Sequence, residues 1–197
     1  MIIRAILFFL KIGVLFLVVF MAWMQVPELF YDFGSRTPLE IDDPALLTPS
    51  FVNGTVFASV RGTPDFTNAF VYRRYGLDLH YFTVEPYGMK LVVRTYDEIT
   101  EEWKQLNRFL GRLRPFDQQP FSRYISAIYL DRFGVSVPPD AYFLALDDVP
   151  KPSGWQIGGL VLASVIWLVL LWFFFLRGNL ARIIHRASKT GSMNNPG

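Results

Sequence analysis

"GWQIGGLVLASVIWLVLLWFFFLRGNLARIIHR", residues 154–186, decides how the chain is organised. From Trp155 to Leu176 it carries no charged residue, and from Arg177 it turns basic. About 20 apolar residues at a rise of about 1.5 Å each cross a hydrocarbon core of about 30 Å, so this run predicts a transmembrane helix over 155–176. A buried helix of a soluble protein is usually shorter and keeps a polar edge. Gly158, Gly159 and Ala163 place small residues at helical spacing, which lets another helix approach closely.

The N-terminus repeats the signal in "AILFFLKIGVLFLVVFMAWMQ", residues 5–25, whose only charge is Lys11. A lysine near the start of a span can snorkel to the headgroups. Arg4 followed by an apolar run also resembles a secretory signal, but the run is long and Trp23 and Met24 stand where small residues would mark cleavage. An uncleaved anchor over 1–26 is therefore expected.

Charge orients both spans. Every acidic residue, from Glu28 to Asp148, lies between them, whereas the tail after Leu176 carries Arg177, Arg182, Arg186 and Lys189 and no acid. The positive-inside rule then places both termini in the cytoplasm and exports the central segment, the topology of an inner-membrane protein. Leu180, Ile183 and Ile184 against those basic residues predict a short interfacial helix in the tail, 177–197, bound to anionic headgroups.

The residue inventory limits the chemistry. There is no cysteine, which excludes disulfides and thiolate chemistry. The two histidines, His80 and His185, fall on opposite sides of the membrane in this topology, so no two-histidine metal site is expected. Neither a phosphate-cradling Gly-rich loop nor a G-x-S-x-G or H-E-x-x-H pattern occurs. Asp42-Asp43 and Asp147-Asp148 read as solvated linker acids and His80 as a structural strand residue. An enzyme using acids with His80 is the weakest option. "YRRY", 72–75, suggests Arg stacked on Tyr rather than a nucleic-acid surface, and no nucleic-acid partner is expected.

Within the central segment, residues 27–50 are broken by Pro27, Pro38, Pro44 and Pro49 and read as an extended linker. "FVNGTVFASVRG", "NAFVYRRYG", "LHYFTVEPYG" and "MKLVVRTY" read as four strands, the last two joined by a hairpin loop. Thr95 with Glu98 has capping-box spacing, which predicts a helix carrying Ile99, Trp103 and Leu106 on one face. "RFLGRLRPF" alternates arginines and is read as a strand, although a helical continuation fits as well. "FSRYISAIYLDRFG" predicts an amphipathic helix ending at Gly134, and "DAYFLALDD" a closing strand. The expected fold is a membrane-anchored α+β protein: two transmembrane helices flanking a mostly β domain over 51–150, barrel-like or open-sheet, with two short helices.

"VRGTPDFTNAFVY" (60–72), "YFTVEPYGMKLVVR" (81–94), "LGRLRPFDQQPF" (110–121) and the terminal span resemble, in the same order, segments of the Surfeit-locus, or Shy-like, assembly factors of cytochrome c oxidase. Thr95 stands where that family has glycine after the arginine. The resemblance implies an N-terminal span, an exported β-rich domain, a C-terminal span and a role in oxidase assembly. Members that handle haem a carry a histidine near the start of the second span; "PKPSGWQIGG" has none, so no cofactor is expected. The function read from the chain is a non-enzymatic assembly or stabilising factor of a larger membrane complex, with a respiratory oxidase as first choice. A permanent accessory subunit of a respiratory or photosynthetic complex and an exported sensor or ligand-binding module are the alternatives. Expected partner contacts are Arg61, Arg73, Arg74, Arg94, Arg112 and Arg114 on the domain, and Gly158, Gly159 and Ala163 on the second span.

Overall fold

The computed structural model describes residues 2–152 and 154–176. The basic tail, with its expected interfacial helix and His185, lies outside the described residues. The chain divides into two compact units. One gathers the apolar helices at the two ends, and the other is Phe30–Lys151.

In the first unit, α1 (Ile2–Asp32) and α3 (Gly154–Leu171), which continues into a π-helical turn at Trp172–Leu176, are long and apolar enough to cross a membrane. They run antiparallel. Phe8 meets Phe175 with ring centroids 6.1 Å apart, and Gln25 Oε1 comes within 3.9 Å of where a Cβ on Gly159 would sit. Lys11 places its ammonium 5.6 Å from the Phe174 ring, a cation–π distance.

The second unit is one seven-stranded mixed sheet: β1 (Leu39–Ile41), β2 (Val56–Arg61), β3 (Thr63–Arg74), β4 (Leu77–Glu85), β5 (Gly88–Thr95), β6 (Arg108–Pro115) and β7 (Tyr142–Leu146). The order is β1-β2-β6-β7-β5-β4-β3. The sheet is therefore open, and with the helices the chain is α+β. β1–β2 and β5–β7 are parallel and the other pairs antiparallel. Arg74 pairs with Leu77, leaving a two-residue Tyr75-Gly76 loop with φ of 49° and 78°. Two positive φ values are the pattern of a type I′ hairpin turn, whose twist matches that of the strands. The ambiguous "RFLGRLRPF" is strand β6, and α2 (Ser122–Phe133) ends at Gly134, whose αL backbone donates to Leu130 O.

Alternation along the strands builds two cores. One face buries Val60, Phe82, Val84, Leu91, Val93, Phe109, Leu113 and Leu144 beneath Ile41, Leu47 and Val52. The other buries Phe70, Tyr81, Val92 and Phe143 beneath Ile125 and Tyr129 of α2. Two expectations need correction. The stretch 27–50 is not an extended linker, because its start continues α1, β1 adds an edge strand, and Ile41 and Leu47 are buried in the first core. No α-helix starts at Thr95. That residue ends β5, its hydroxyl accepts from Asp97 N at 3.0 Å, and only a 3-10 turn, Glu101–Gln105, follows. The Thr95 side chain is thus held by the next turn rather than by a helix cap.

Burial also leaves a pH signature. Burial pushes the Tyr81 and Tyr87 phenols up to about 12, and it raises Tyr129 further. The unfolded chain ionises at about 10 and so releases these protons first. Stability is accordingly full below that pH and is lost as pH rises from about 10 towards 12. The Tyr129 hydroxyl is moreover buried with no hydrogen-bond partner. Tyr129→Phe should therefore gain about 1 kcal/mol and move the alkaline transition upward, followed by near-UV circular dichroism. A lower midpoint would contradict this account of the residue.

Candidate functional site

Cross-strand pairing sets which side chains share a face. Tyr81 lies opposite Arg94, Arg94 opposite Ala145, and Ala145 opposite Arg112; one row away, Val92, Phe143 and Arg114 are neighbours. On the other flank Tyr72 pairs with Leu79 and Arg74 with Leu77, in phase with Tyr81. The α2 face of the sheet thus carries aromatic and aliphatic residues under the helix and arginines around it. Ala145 stands between Arg94 and Arg112, and Phe143 stands beside Arg114 in the next row.

Just before α2, at Gln119, Pro120 and Phe121, this face opens into a cavity of about 190 Å³. Arg74, Arg94 and Arg114 line it with Tyr72, Leu79 and Tyr81, and no carboxylate does. The Arg74 guanidinium carbon sits 3.5 Å from the Phe121 centroid and 4.7 Å from that of Tyr75. That of Arg94 lies 4.9 Å from Tyr96 and 5.5 Å from Phe143. Stacking occupies the flat face of a guanidinium rather than its N–H edge, and on that edge Arg74 Nη2 donates to the Tyr75 hydroxyl at 3.3 Å. Arg94 Nε and Gln119 Oε1 are buried without a hydrogen-bond partner, and Gln119 is only 7% exposed. Burial raises the Tyr81 phenol, partly offset by the Arg94 charge, so it stays a neutral donor at the cavity wall. Such an arrangement can bind an anion. A larger cavity, about 460 Å³, is bounded by Phe30, Pro38, Phe51, Phe57 and Pro150 among others and has no charged side chain in its wall.

Arg112, expected on a docking face, is instead a buried structural residue, 7% exposed. Its Nε is 3.0 Å from Asp148 Oδ2, its Nη2 is 3.5 Å from Asp32 Oδ1, and its guanidinium lies 3.9 Å from the Tyr31 ring. Tyr31 and Asp32 form the last turn of α1, and the Tyr31 hydroxyl donates to the Asp148 carbonyl. A cation at a helix C-terminus is favoured by the helix dipole. Asp148 is consequently part of an ion-pair cluster rather than a solvated linker acid. Asp43, for its part, caps a 3-10 turn through Ala45 N at 2.8 Å.

The remaining expected contacts divide. Arg61 is exposed at the end of β2, and Arg73 is exposed but paired with Asp78 at 2.6 Å. Gly158 has open space around it, whereas Gly159 approaches Gln25 of α1. Ala163 lines a groove of about 370 Å³ with Val18, Ala22 and Trp167. Sequence reasoning missed Gln119, Phe121 and Tyr81 because nothing local marks them; only the strand register and the start of α2 bring them to the arginines. Among the described residues no group of three or more His, Cys, Asp or Glu is placed to hold a metal ion.

No protein-family model, curated protein or solved structure matches the chain.

Proposed function

We propose that the chain is a membrane-anchored, non-enzymatic assembly or stabilising factor of a larger membrane complex. On this reading the two apolar helices span an inner membrane with both termini cytoplasmic, and the sheet domain stands on the exported side. A respiratory oxidase is the client implied by the resemblance to the Surfeit-locus segments. The single observation that carries the reading is the arginine- and aromatic-rich face of the sheet: Arg61, Arg74, Arg94 and Arg114 with the exposed rings of Tyr75, Tyr96 and Phe121. Arginine and aromatic residues are the usual anchors of protein interfaces. The groove at Ala163 would receive a client helix.

The test is a gentle-detergent pull-down of the tagged full chain from its native membrane, with mass spectrometry of the eluate. Subunits of one membrane complex should co-purify in substoichiometric amounts, and Arg61→Glu should reduce their yield severalfold. Equal stoichiometry would make the chain a permanent accessory subunit. Recovery of the chain alone would remove the docking reading. A second reading, a ligand-binding module, is favoured by the arginine-lined cavity.

A further inference from the structure

We propose that Asn53 is a modification site, at which the folded chain converts its own asparagine to aspartate and isoaspartate by loss of ammonia. This chemistry depends on neither the docking nor the ligand-binding reading. Asn53-Gly54 is the only Asn-Gly pair in the sequence. Asn53 is exposed, and its carboxamide makes no hydrogen bond to another described residue. Gly54, with φ of 75°, lies outside every helix and strand, and among the described residues its amide donates to no main-chain carbonyl. A Cβ built on it would meet no atom within 4 Å beyond its chain neighbours, so neither a side chain of its own nor a packed neighbour crowds the position. An unbonded carboxamide is thus followed by an unhindered, unbonded amide nitrogen, and these are the two groups that react.

Hydroxide takes the Gly54 amide proton, and the nitrogen attacks Cγ of Asn53. The N–Cγ bond forms, the Cγ–Nδ2 bond breaks, and Nδ2 leaves as ammonia with a proton from water. The five-membered succinimide then adds one water. Opening at Cγ gives aspartate, and opening at the Asn53 main-chain carbonyl carbon gives isoaspartate, whose main chain runs through Cγ. Water is the only co-reactant, and nothing is oxidised or reduced. Either product adds a carboxylate. Asn53 stands in the wall of the cavity of about 460 Å³, which has no charged side chain, so conversion makes a neutral wall anionic. The main chain is fixed on both sides: Val52 is buried, with its amide donating to Thr48 O at 2.8 Å, and Val56 pairs with Leu113 of β6. The extra methylene of isoaspartate falls between these anchors, and the start of β2 must shift to take it.

Incubation of the full chain at mildly alkaline pH, folded in a nonionic detergent and separately unfolded in urea, tests the site by peptide mass spectrometry. In the folded chain the Asn53 peptide should gain about 1 Da, an amide replaced by an acid, and should gain it faster as pH rises. Peptides carrying Asn68, before Ala69, and the exposed Asn107, before Arg108, should keep their mass over the same time. Asn53→Gln should abolish the gain, because its longer side chain would have to close a larger ring. A gain in the unfolded chain alone would mean that the fold protects Asn53 and would overturn the proposal, as would an equal gain at Asn107. Asn53-Gly54-Thr55 also matches the N-glycosylation pattern, so a hexosamine mass on this peptide in the chain taken from its native membrane would overturn the proposal in favour of a glycan. After conversion the chain should melt below Asn53→Asp, which carries the charge without the added methylene. Equal melting would overturn the strain assigned to the start of β2 and leave the modification standing.

Discussion

Gly111→Ala is expected to prevent the sheet domain from folding. Gly111 lies mid-strand in β6, between Ala58 of β2 and Leu146 of β7. A Cβ added there would fall 2.0 Å from Ala145 O, 2.7 Å from Ala145 C and 3.0 Å from Leu146 Cα. All three are backbone atoms of a fully buried strand, so no rotamer change relieves the overlap. Either β7 withdraws, breaking its ladder with β6 and disturbing its pairing with β5, or β6 does. The cost should exceed about 4 kcal/mol, which is a large part of the roughly 5–15 kcal/mol that holds a domain folded. Limited proteolysis and thermal melting of the full chain in detergent read the effect directly. Gly158→Ala is the control: its surroundings are open and its backbone helical, so it should be neutral or slightly stabilising. A Gly111→Ala chain with wild-type protease resistance would mean that β6 and β7 do not approach as described.

Arg112→Met should cost about 3 kcal/mol. Removing the cation leaves the buried Asp32, whose side chain is 8% exposed, beside the partly exposed Asp148 with their shared counterion gone. The methionine keeps most of the apolar stem over the Tyr31 ring, so the loss reports the charge and not the packing. The triple variant Arg112→Met, Asp32→Asn, Asp148→Asn should recover much of the stability, since the desolvated charges go together. Raised salt should alter the single variant's deficit little, because a buried pair is poorly screened. If the single variant melts like the wild type, the cluster contributes nothing to holding Tyr31 and Asp32 to β6.

Local pattern made a good part of this architecture legible. Unbroken apolar length marked both end helices. Runs of Val, Phe, Tyr and Thr closed by Gly or Pro marked β2 to β5, alternating arginines marked β6, and the spacing of Ile125 and Tyr129 with a terminal Gly134 marked α2. These signals live within a dozen residues, where backbone period and turn chemistry act. β1 escaped notice because three residues among prolines carry no period of their own; Ile41 is buried because β2 and the first core lie beside it. The capping-box reading of Thr95 failed for a related reason, since the strand pairing of His80 with Thr95 outweighs a weak local preference for helix.

The arginines show the division most clearly. As residue types they pointed to recognition by charge and aromatic stacking, and Arg74 does stack on Tyr75 and Phe121. Their separate fates were not readable: Arg112 is buried on Asp32 and Asp148, Arg73 is paired with Asp78, and Arg94 and Arg114 are brought to one cavity by strands that flank β7. By itself the sequence determined the element types, the two end helices and the supply of cationic and aromatic side chains, because these follow from short-range sterics and hydropathy. Tertiary structure alone decided which arginine meets an acid, which meets a ring and which lines a cavity, because that depends on strand order and register across pairings that span tens of residues.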